Sequence, residues 1–268
     1  MGFFSNKVVL VTGGTEGIGR AFVEALIQEG ARVATCSRNY DKLYALQMQY
    51  SQQHLMIHRA DLRFEADCKR LIELTVKTYS RIDILINNAG ISMRALFDET
   101  ELDTLRKVMD INFWGAVACT KYAMPYLKES NGIIVAISSI AGFRGLPGRS
   151  GYSASKFALN GWMEALRTEL LDSGVHVMWV CPGFTRSNIR NVALNKDAIP
   201  EAESLMDEGN LMSAEECVRQ ILSAIAKKKR TLVMTIQGKK TVWVNRLFPA
   251  WADRLVRRFY FKDNRLVK

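Results

Sequence analysis

The stretch KVVLVTGGTEGIG, residues 7–19, joins a short apolar segment directly to a glycine-rich turn. Gly13, Gly17 and Gly19 stand where a helix is predicted to begin. Glycine permits a tight turn and lets backbone N–H groups approach a pyrophosphate at the positive end of a helix. The spacing is G-x-x-x-G-x-G, and a plain βα turn also favours glycine. The order of strand, turn and helix therefore predicts a dinucleotide site here.

The same strand and helix pattern continues along the chain. Apolar, β-branched segments predict strands over residues 7–12, 31–36, 55–60, 82–87, 132–138, 175–181 and 231–236, and helical patterns lie between them at about 17–29, 39–52, 64–79, 100–129, 152–172 and 213–226. Apolar strands that alternate with helices are typical of a parallel sheet covered on both faces. The sequence predicts an α/β, doubly wound (Rossmann) fold with seven parallel strands over 1–238, and a basic amphipathic extension over 239–268.

Composition and charge exclude several function classes. From Lys227 onward thirteen Lys and Arg face two Asp, so the net charge of +10 belongs to the tail and the body is close to neutral. Such a body lacks the basic face that nucleic acid requires. The five cysteines contain no CxxC pair and form no metal-spaced cluster with the three histidines, which predicts no structural metal and a reducing compartment.

The amino-terminal residues carry no targeting pattern. A strand begins within ten residues, Asn6 replaces the Ser or Thr of a myristoylation motif, and no stretch of 18 apolar residues occurs. We expect a cytoplasmic protein that is either free or peripheral to a membrane.

Cofactor preference depends on the end of the second predicted strand. A carboxylate there holds the ribose hydroxyls of NAD, whereas a cation accommodates the additional phosphate of NADP. Ser37, Arg38 and Asn39 occupy this position, which predicts NADP(H). The alternative is that Arg38 is a solvated loop residue, and Glu16 in the glycine turn is poorly placed for a further phosphate.

Tyr152 and Lys156 form a possible catalytic pair in GYSASKFALNGW, residues 151–162. On a helix, positions i and i+4 lie on one face, so the ammonium can lie beside the phenol. A neighbouring cation favours the ionised phenol, which would make Tyr152 a usable proton donor near neutral pH. For an isolated YxxxK pattern the alternative is two surface side chains that share a helix face.

Taken together, TGGTEGIG, NNAG (87–90), Asn112, Ser139, YSASK and PGFT (182–185) resemble the short-chain dehydrogenase/reductase family over about residues 5–236. NNAGIS, AISSIAG, LPGRSGYSASKFA and the terminal extension resemble the subgroup of dehydrogenase/reductase member 7B and 11β-hydroxysteroid dehydrogenase.

The resemblance implies specific roles. Tyr152 would donate the proton, Ser139 would hydrogen-bond the substrate oxygen, Lys156 would tune Tyr152 and bind the nicotinamide ribose, and Asn112 would support a water relay. The cofactor-binding residues that it implies are Thr12, Gly13, Thr15, Glu16, Gly17, Ile18, Gly19, Ser37, Arg38, Asp61, Leu62, Asn88, Ala89, Gly90, Tyr152, Lys156, Pro182, Gly183 and Thr185. It also implies a homodimer or homotetramer built on the helices 100–129 and 152–172. Without this resemblance, Asp61 would be interpreted as a turn residue, Asn88 as a strand cap and Asn112 as a helix irregularity.

The substrate is predicted only by class. Met93, Phe143, Leu146 and Pro147, with the loop ending LMDEGNLM (205–212), predict an apolar pocket for a steroid-, retinoid- or lipid-like carbonyl or alcohol. A second hypothesis is a 3-oxoacyl carrier-protein reductase, if the arginines at 94, 144 and 149 face an anionic substrate instead of solvent. A third is an NADPH-binding sensor or interaction protein without turnover.

The tail predicts one further helix, beginning at Pro249. Its apolar side carries Trp251, Ala252, Leu255, Val256, Phe259 and Tyr260, and its polar side carries Asp253, Arg254, Arg257 and Arg258. A basic amphipathic helix either lies in a membrane interface or packs on the body or a second subunit. Packing is the slightly favoured interpretation.

Overall fold

A computed structural model describes residues 2–50, 54–186, 189, 192–200, 211–263 and 265–267. The strands are β1 Val8–Thr12, β2 Arg32–Ser37, β3 Leu55–Arg59, β4 Ile84–Asn87, β5 Ile133–Ile137, β6 His176–Cys181 and β7 Thr231–Val233. The helices are α1 Gly17–Gln28, α2 Tyr40–Gln47, α3 Glu65–Tyr79, α4 Leu102–Met109, α5 Gly115–Glu129, α6 Ser150–Glu169, α7 Ala214–Ala226, α8 Ile236–Leu247 and α9 Pro249–Tyr260. A short antiparallel pair, β8 Phe261–Lys262 and β9 Arg265–Leu266, follows α9.

The seven main strands form one parallel sheet in the order β3-β2-β1-β4-β5-β6-β7. This confirms the predicted doubly wound fold. The strand order reverses between β1 and β4, where the two connections leave the sheet in opposite directions. Ligands of such sheets bind in the crevice at the carboxyl ends of the strands flanking that point.

Apolar residues on both faces of each strand form the core. Val9 and Val11 of β1 pack on one face with residues of α1 and α7, whereas Val8 and Leu10 pack on the other with residues of α3, α5 and α6. Because successive side chains of a strand point to opposite faces, a strand covered on both sides must be apolar throughout. This explains the uninterrupted run VVLV and fixes the position of the turn that follows it.

Three predicted elements differ in extent or continuity from the structure by more than their end residues. The strand predicted over 231–236 ends at Val233, because Thr235 accepts a hydrogen bond from Gly238 N at 3.0 Å and so caps α8, a helix that was not predicted. The predicted domain boundary at 238 falls inside this helix. A wide π-helical turn, Asp110–Trp114, interrupts the helix predicted over 100–129. Helix α2 ends at Gln47, and residues 51 and 52 of the helix predicted over 39–52 lie outside the described residues.

Helices α8 and α9 form a hairpin that packs on the segment between β5 and α6. The Arg144 guanidinium bonds both Asn245 Oδ1, at 2.9 Å, and the carboxylate of Asp253. Asn245 in turn donates to Phe143 O at 2.9 Å. The extension therefore packs on the body of the protein. None of the helices in the described ranges has both the length and the apolar character needed to cross a membrane.

The apolar side predicted for α9 is divided between two environments. Ala252 and Tyr260 are buried and Val256 is half-buried, whereas Trp251 and Leu255 are exposed. The division arises because these six residues cover more of the helix circumference than the contact with the body can bury. One stripe of α9 faces the protein and an adjoining apolar stripe faces outward.

Candidate active site

A cavity of about 310 Å³ lies at the carboxyl ends of the central strands, where the strand order reverses. It extends from the glycine turn after β1 to the start of α6. Every predicted site residue except Thr12 and Asn112 lines this cavity: Gly13, Thr15, Glu16, Gly17, Ile18, Gly19, Ser37, Arg38, Asp61, Leu62, Asn88, Ala89, Gly90, Ser139, Tyr152, Lys156, Pro182, Gly183 and Thr185. The structure thus brings together residues that are more than 170 positions apart in the sequence.

At two positions of the glycine turn, 13 and 19, the backbone leaves no room for a side chain larger than that of glycine. Gly13 has φ of +70°, and a Cβ there would lie 3.1 Å from the Ala89 Cα. A Cβ on Gly19 would lie 2.0 Å from the Gly13 carbonyl oxygen. At the start of α1 the Glu16 side chain forms no capping hydrogen bond. The first N–H groups of this helix can therefore be approached by a phosphate, and the turn fits a dinucleotide pyrophosphate.

Thr12 and Asn88 hold this turn in place through hydrogen bonds between the ends of β1 and β4. The Asn88 Nδ2 donates to the carbonyl oxygens of Thr12 and Gly13, at 2.9 and 3.2 Å. The Thr12 hydroxyl accepts from the backbone N–H groups of Asn88 and Ala89, each at 3.0 Å. Thr12 is buried behind the cavity wall. Its position indicates that it fixes the turn against β4, whereas Asn88 both supports the turn and lines the cavity.

The end of the cavity near β2 carries an unpaired cation. Lys42 pairs with Glu16 at 2.6 Å, and Arg63 pairs with Asp61 at 2.6 Å. Burial raises the pKa of Asp61, but the hydrogen bonds from Arg63 outweigh it and hold this pKa below its usual value. Arg38 is exposed and has no ion pair within the described ranges. Both carboxylates at this end thus pair with other cations, and Arg38 acts on Asp61 through its charge without forming an ion pair with it.

Tyr152 and Lys156 lie one helical turn apart at the other end of the cavity. The Lys156 Nζ is 5.7 Å from the centroid of the Tyr152 ring and donates to Ile137 O at 2.9 Å. Only 3% of Lys156 is exposed. Burial lowers its pKa from 10.5 to about 8. The ammonium is therefore confined beside the phenol in surroundings where charge interactions are poorly screened.

Ser139 follows β5 and faces the same space. Its hydroxyl oxygen accepts a hydrogen bond from Ala141 N at 3.1 Å, which starts the short turn Ile140–Gly142. This bond uses an acceptor position and leaves the hydroxyl proton able to donate. A substrate oxygen placed between Ser139 and Tyr152 would find a hydroxyl donor on each side.

Asn112 lies in the π-helical turn and organises the floor of the site. Its Oδ1 accepts from Ile91 N at 2.8 Å, and its Nδ2 donates to Ile91 O and to Ser155 Oγ, each at 2.9 Å. Ser155 donates to the Tyr152 carbonyl oxygen at 2.7 Å. Between Asn112 and Lys156 lies Gly90, whose hypothetical Cβ would be 3.2 Å from the Asn112 Oδ1. Asn112 thus connects the segment after β4 to α6, the helix that carries Tyr152.

The apolar wall consists of residues that the sequence analysis did not identify. Ile91, Ile111, Phe184, Ile189 and Val192 line the cavity. The ring of Phe259 in α9 stacks on Phe184 with centroids 6.4 Å apart. Tyr260 is buried, and burial raises its pKa while the charges of Arg149 and Tyr152 also act on it. No spacing in the sequence indicates that residues 259 and 260 lie near Phe184 and Tyr152. Only tertiary packing brings them together.

The residues predicted around the substrate do not line this cavity. Met93 is completely buried in the core beside the site. Leu146 and Pro147 line a second cavity, between the segment before α6 and α9, and Phe143 packs against the core. Arg144 is bound to Asp253 and lines the second cavity. Residues 205–210 of the predicted loop lie outside the described residues.

Comparison with known proteins matches this chain to dehydrogenases and reductases. The family described as short chain dehydrogenase matches residues 7–198. Dehydrogenase/reductase SDR family member 7B of Mus musculus is 32% identical over 95% of this chain and 81% of its own. An 11-beta-hydroxysteroid dehydrogenase A of Arachis hypogaea is 33% identical over 94% and 76%.

A solved structure shows the same architecture. A short chain dehydrogenase/reductase from Burkholderia phymatum, solved in complex with NAD, has a TM-score of 0.83 with 21% identity, over 94% of this chain and 96% of that one.

Proposed function

This chain belongs to the short-chain dehydrogenase family, and we propose that it is an NADP(H)-dependent oxidoreductase interconverting a hydrophobic carbonyl compound and its alcohol. Membership makes it a nucleotide-binding dehydrogenase or reductase with a Rossmann fold. The observation that carries the proposal is the buried Tyr152 and Lys156 pair in one cavity with Ser139.

Bound at the glycine turn, the dinucleotide supplies the hydride in reduction. The protein residues handle the proton and the charge. Tyr152 delivers its phenolic proton to the oxygen that becomes an alkoxide, and Ser139 donates a hydrogen bond to the same oxygen. The Lys156 ammonium stabilises the phenolate that remains, because a cation close by favours the charged form. In oxidation the same phenolate accepts the proton.

Arg38 supports NADP(H) over NAD(H). Its guanidinium is exposed at the end of β2 and unpaired in the described part of the chain, whereas Glu16 and Asp61 are each neutralised by a cation. A planar guanidinium suits the additional phosphate of NADP. The Burkholderia protein was solved with NAD, but at 21% identity it supports the fold only.

The wall composition supports a hydrophobic substrate. Aliphatic side chains and the ring of Phe184 line the cavity that holds Tyr152, and the ring of Phe259 stacks on Phe184. Pockets of this kind bind apolar molecules with a few polar anchors. A 3-oxoacyl carrier-protein substrate would need a free cation at the mouth, and Arg144 is already bound to Asp253. One of the three arginines that this hypothesis invokes is therefore occupied, and the NADPH sensor without turnover is disfavoured because Ser139, Tyr152 and Lys156 line one cavity.

The test follows NADPH absorbance while the purified protein is offered hydrophobic ketones, lipid aldehydes, a steroid ketone and a 3-oxoacyl thioester. Tyr152→Phe should lower turnover by about 10²–10⁴-fold and leave NADPH affinity nearly unchanged. Tyr122→Phe is the matched control, because that phenol bonds Glu65 on the surface, outside the cavity.

Turnover in Tyr152→Phe comparable to that of the wild type would refute the role of the phenol. Tight NADPH binding without consumption of any compound would favour the sensor hypothesis. Preference for the thioester would favour the carrier-protein reductase.

A further inference from the structure

The outward side of the α8–α9 hairpin carries large apolar side chains in contact with solvent. Trp243 is 61% exposed and Trp251 is 54% exposed. The set that we call the hairpin face consists of Ile236, Trp243, Leu247, Phe248, Trp251 and Leu255, all exposed. Single exposed apolar residues are common, but a cluster of six on two adjoining helices marks an interaction surface.

Helical geometry places these residues in one continuous area. On α8, Ile236, Trp243 and Leu247 recur at spacings of seven and four, which is one side of a helix. On α9, Trp251 and Leu255 are four apart. The two helices meet at the hairpin bend, where the Trp243 and Phe248 rings make an edge contact with centroids 6.1 Å apart.

Packing against the body does not use this apolar area. The side of α8 that faces the protein presents Gly238, against Ile140, and Asn245, which bonds Phe143. The side of α9 that faces the protein buries Ala252 and Tyr260. The two exposed tryptophans are therefore not needed to hold the hairpin on the body. Their exposure indicates a surface that binds a partner.

Exposed cations surround the hairpin face. They are Lys239, Lys240 and Arg246 on α8 and Arg254 and Arg258 on α9. On α8 the two lysines stand between Ile236 and Trp243, and on α9 Arg254 lies about one turn after Trp251 and Arg258 about one turn after Leu255. The one acid within either helix, Asp253, is bound to Arg144. The outward side thus combines indole rings, aliphatic groups and positive charge.

We propose that the hairpin face docks on an anionic lipid surface. Tryptophan is suited to the boundary between headgroups and acyl chains, where its ring is buried and its N–H meets polar groups. Lys and Arg reach the headgroups while their stems cover apolar surface. Leu247, Leu255 and Ile236 enter the acyl region, as in helices that lie in the interface plane.

Charge complementarity decides between lipid and a second copy of the chain. A two-fold contact of the hairpin face with itself would bring arginines and lysines against like charges, with no free acid on these helices to offset them. An anionic membrane supplies the opposite charge over an extended area. The inference rests on this surface alone and is independent of the proposed reaction.

The test is vesicle flotation of the full-length protein. Phosphatidylcholine vesicles with and without phosphatidylglycerol are compared at low and high salt. We expect binding to the anionic vesicles, weakened by salt. Trp243→Ala/Trp251→Ala and, separately, Arg246→Glu/Arg254→Glu should each weaken it at least about tenfold.

Two matched controls separate this surface from general effects. Phe97→Ala removes a comparably exposed aromatic ring outside the hairpin, and Lys69→Glu/Lys77→Glu reverses two exposed charges on α3. Both should bind vesicles as the wild type does, and circular dichroism checks that all variants are folded.

Wild-type protein that does not float with anionic vesicles overturns the proposal, as do hairpin variants that float as well as the wild type. Sedimentation equilibrium and a nucleic-acid mobility shift are run on the same variants. A different result is a wild type that fails to bind vesicles but self-associates or binds nucleic acid, and that loses this binding on the hairpin substitutions. This result would assign the hairpin face to that partner instead.

Discussion

Replacing Lys156 by Met tests whether a charged lysine is buried beside Tyr152. Burial lowers the Lys156 pKa from 10.5 to about 8, whereas in the unfolded chain it keeps its ordinary value. Between these two values the unfolded state holds a proton that the folded state has released, so the free energy of unfolding rises with pH. Integrated from about pH 7 to about pH 9.5, this amounts to roughly 2 kcal/mol. Lys156→Met lacks this contribution.

Urea unfolding of the cofactor-free protein at both pH values measures the effect. The stability of the wild type relative to Lys156→Met should increase by about 2 kcal/mol as the pH rises. Effects of packing on the methionine largely cancel, because they do not depend on pH. Lys121→Met, at an exposed position on α5, is the control and should differ from the wild type by a constant amount. A constant difference for Lys156→Met as well would refute the burial of an ionised lysine.

Three further substitutions test other parts of the site. Arg38→Asp should reverse the NADP-over-NAD preference in fluorescence titrations, and an unchanged affinity ratio would contradict the assignment. Gly19→Ala places a Cβ 2.0 Å from the Gly13 oxygen and should abolish dinucleotide binding, whereas Gly161→Ala, with no atom within 4 Å of the added carbon, should bind normally. Asn112→Ala leaves the Ile91 backbone groups unpaired and should lower urea stability by about 2–3 kcal/mol, which an unchanged unfolding midpoint would exclude.

The sequence predicted what depends on local pattern. Strands buried on both faces are apolar throughout, so β1 to β6 were located to within two residues, and the glycine turn and the YxxxK helix followed from backbone geometry. Helix α8 was missed because TVWVN is rich in β-branched residues, which disfavour helices; the Asn245 clamp on Phe143 supplies the compensating tertiary contact. The π-helical turn at Asn112 depends on bonds to Ile91 and Ser155, which no local pattern shows.

The residues that form the apolar wall of the cavity were not predicted, for a related reason. Apolar residues near the motifs, such as Leu146 and Pro147, were assigned to it on proximity in the sequence, yet they face the second cavity. The apolar lining of the first cavity includes residues of the segment after β6, namely Phe184, Ile189 and Val192. Which loop residues face a cavity depends on how the loop crosses the sheet edge. Periodicity carries no information about that path.

The position of the extension constrains how its role can be tested. Phe259 stacks on Phe184 at the cavity, and Leu266 packs so closely on Gly148 that a Cβ there would lie 2.4 Å from its methyl group. Deleting residues after 238 would therefore remove the packing on Phe184 and Gly148 as well as most of the hairpin face. Loss of activity in such a truncation could not be attributed to loss of membrane contact. Substitutions at Trp243 and Trp251, which point away from the body, separate the two effects because the inward residues stay in place.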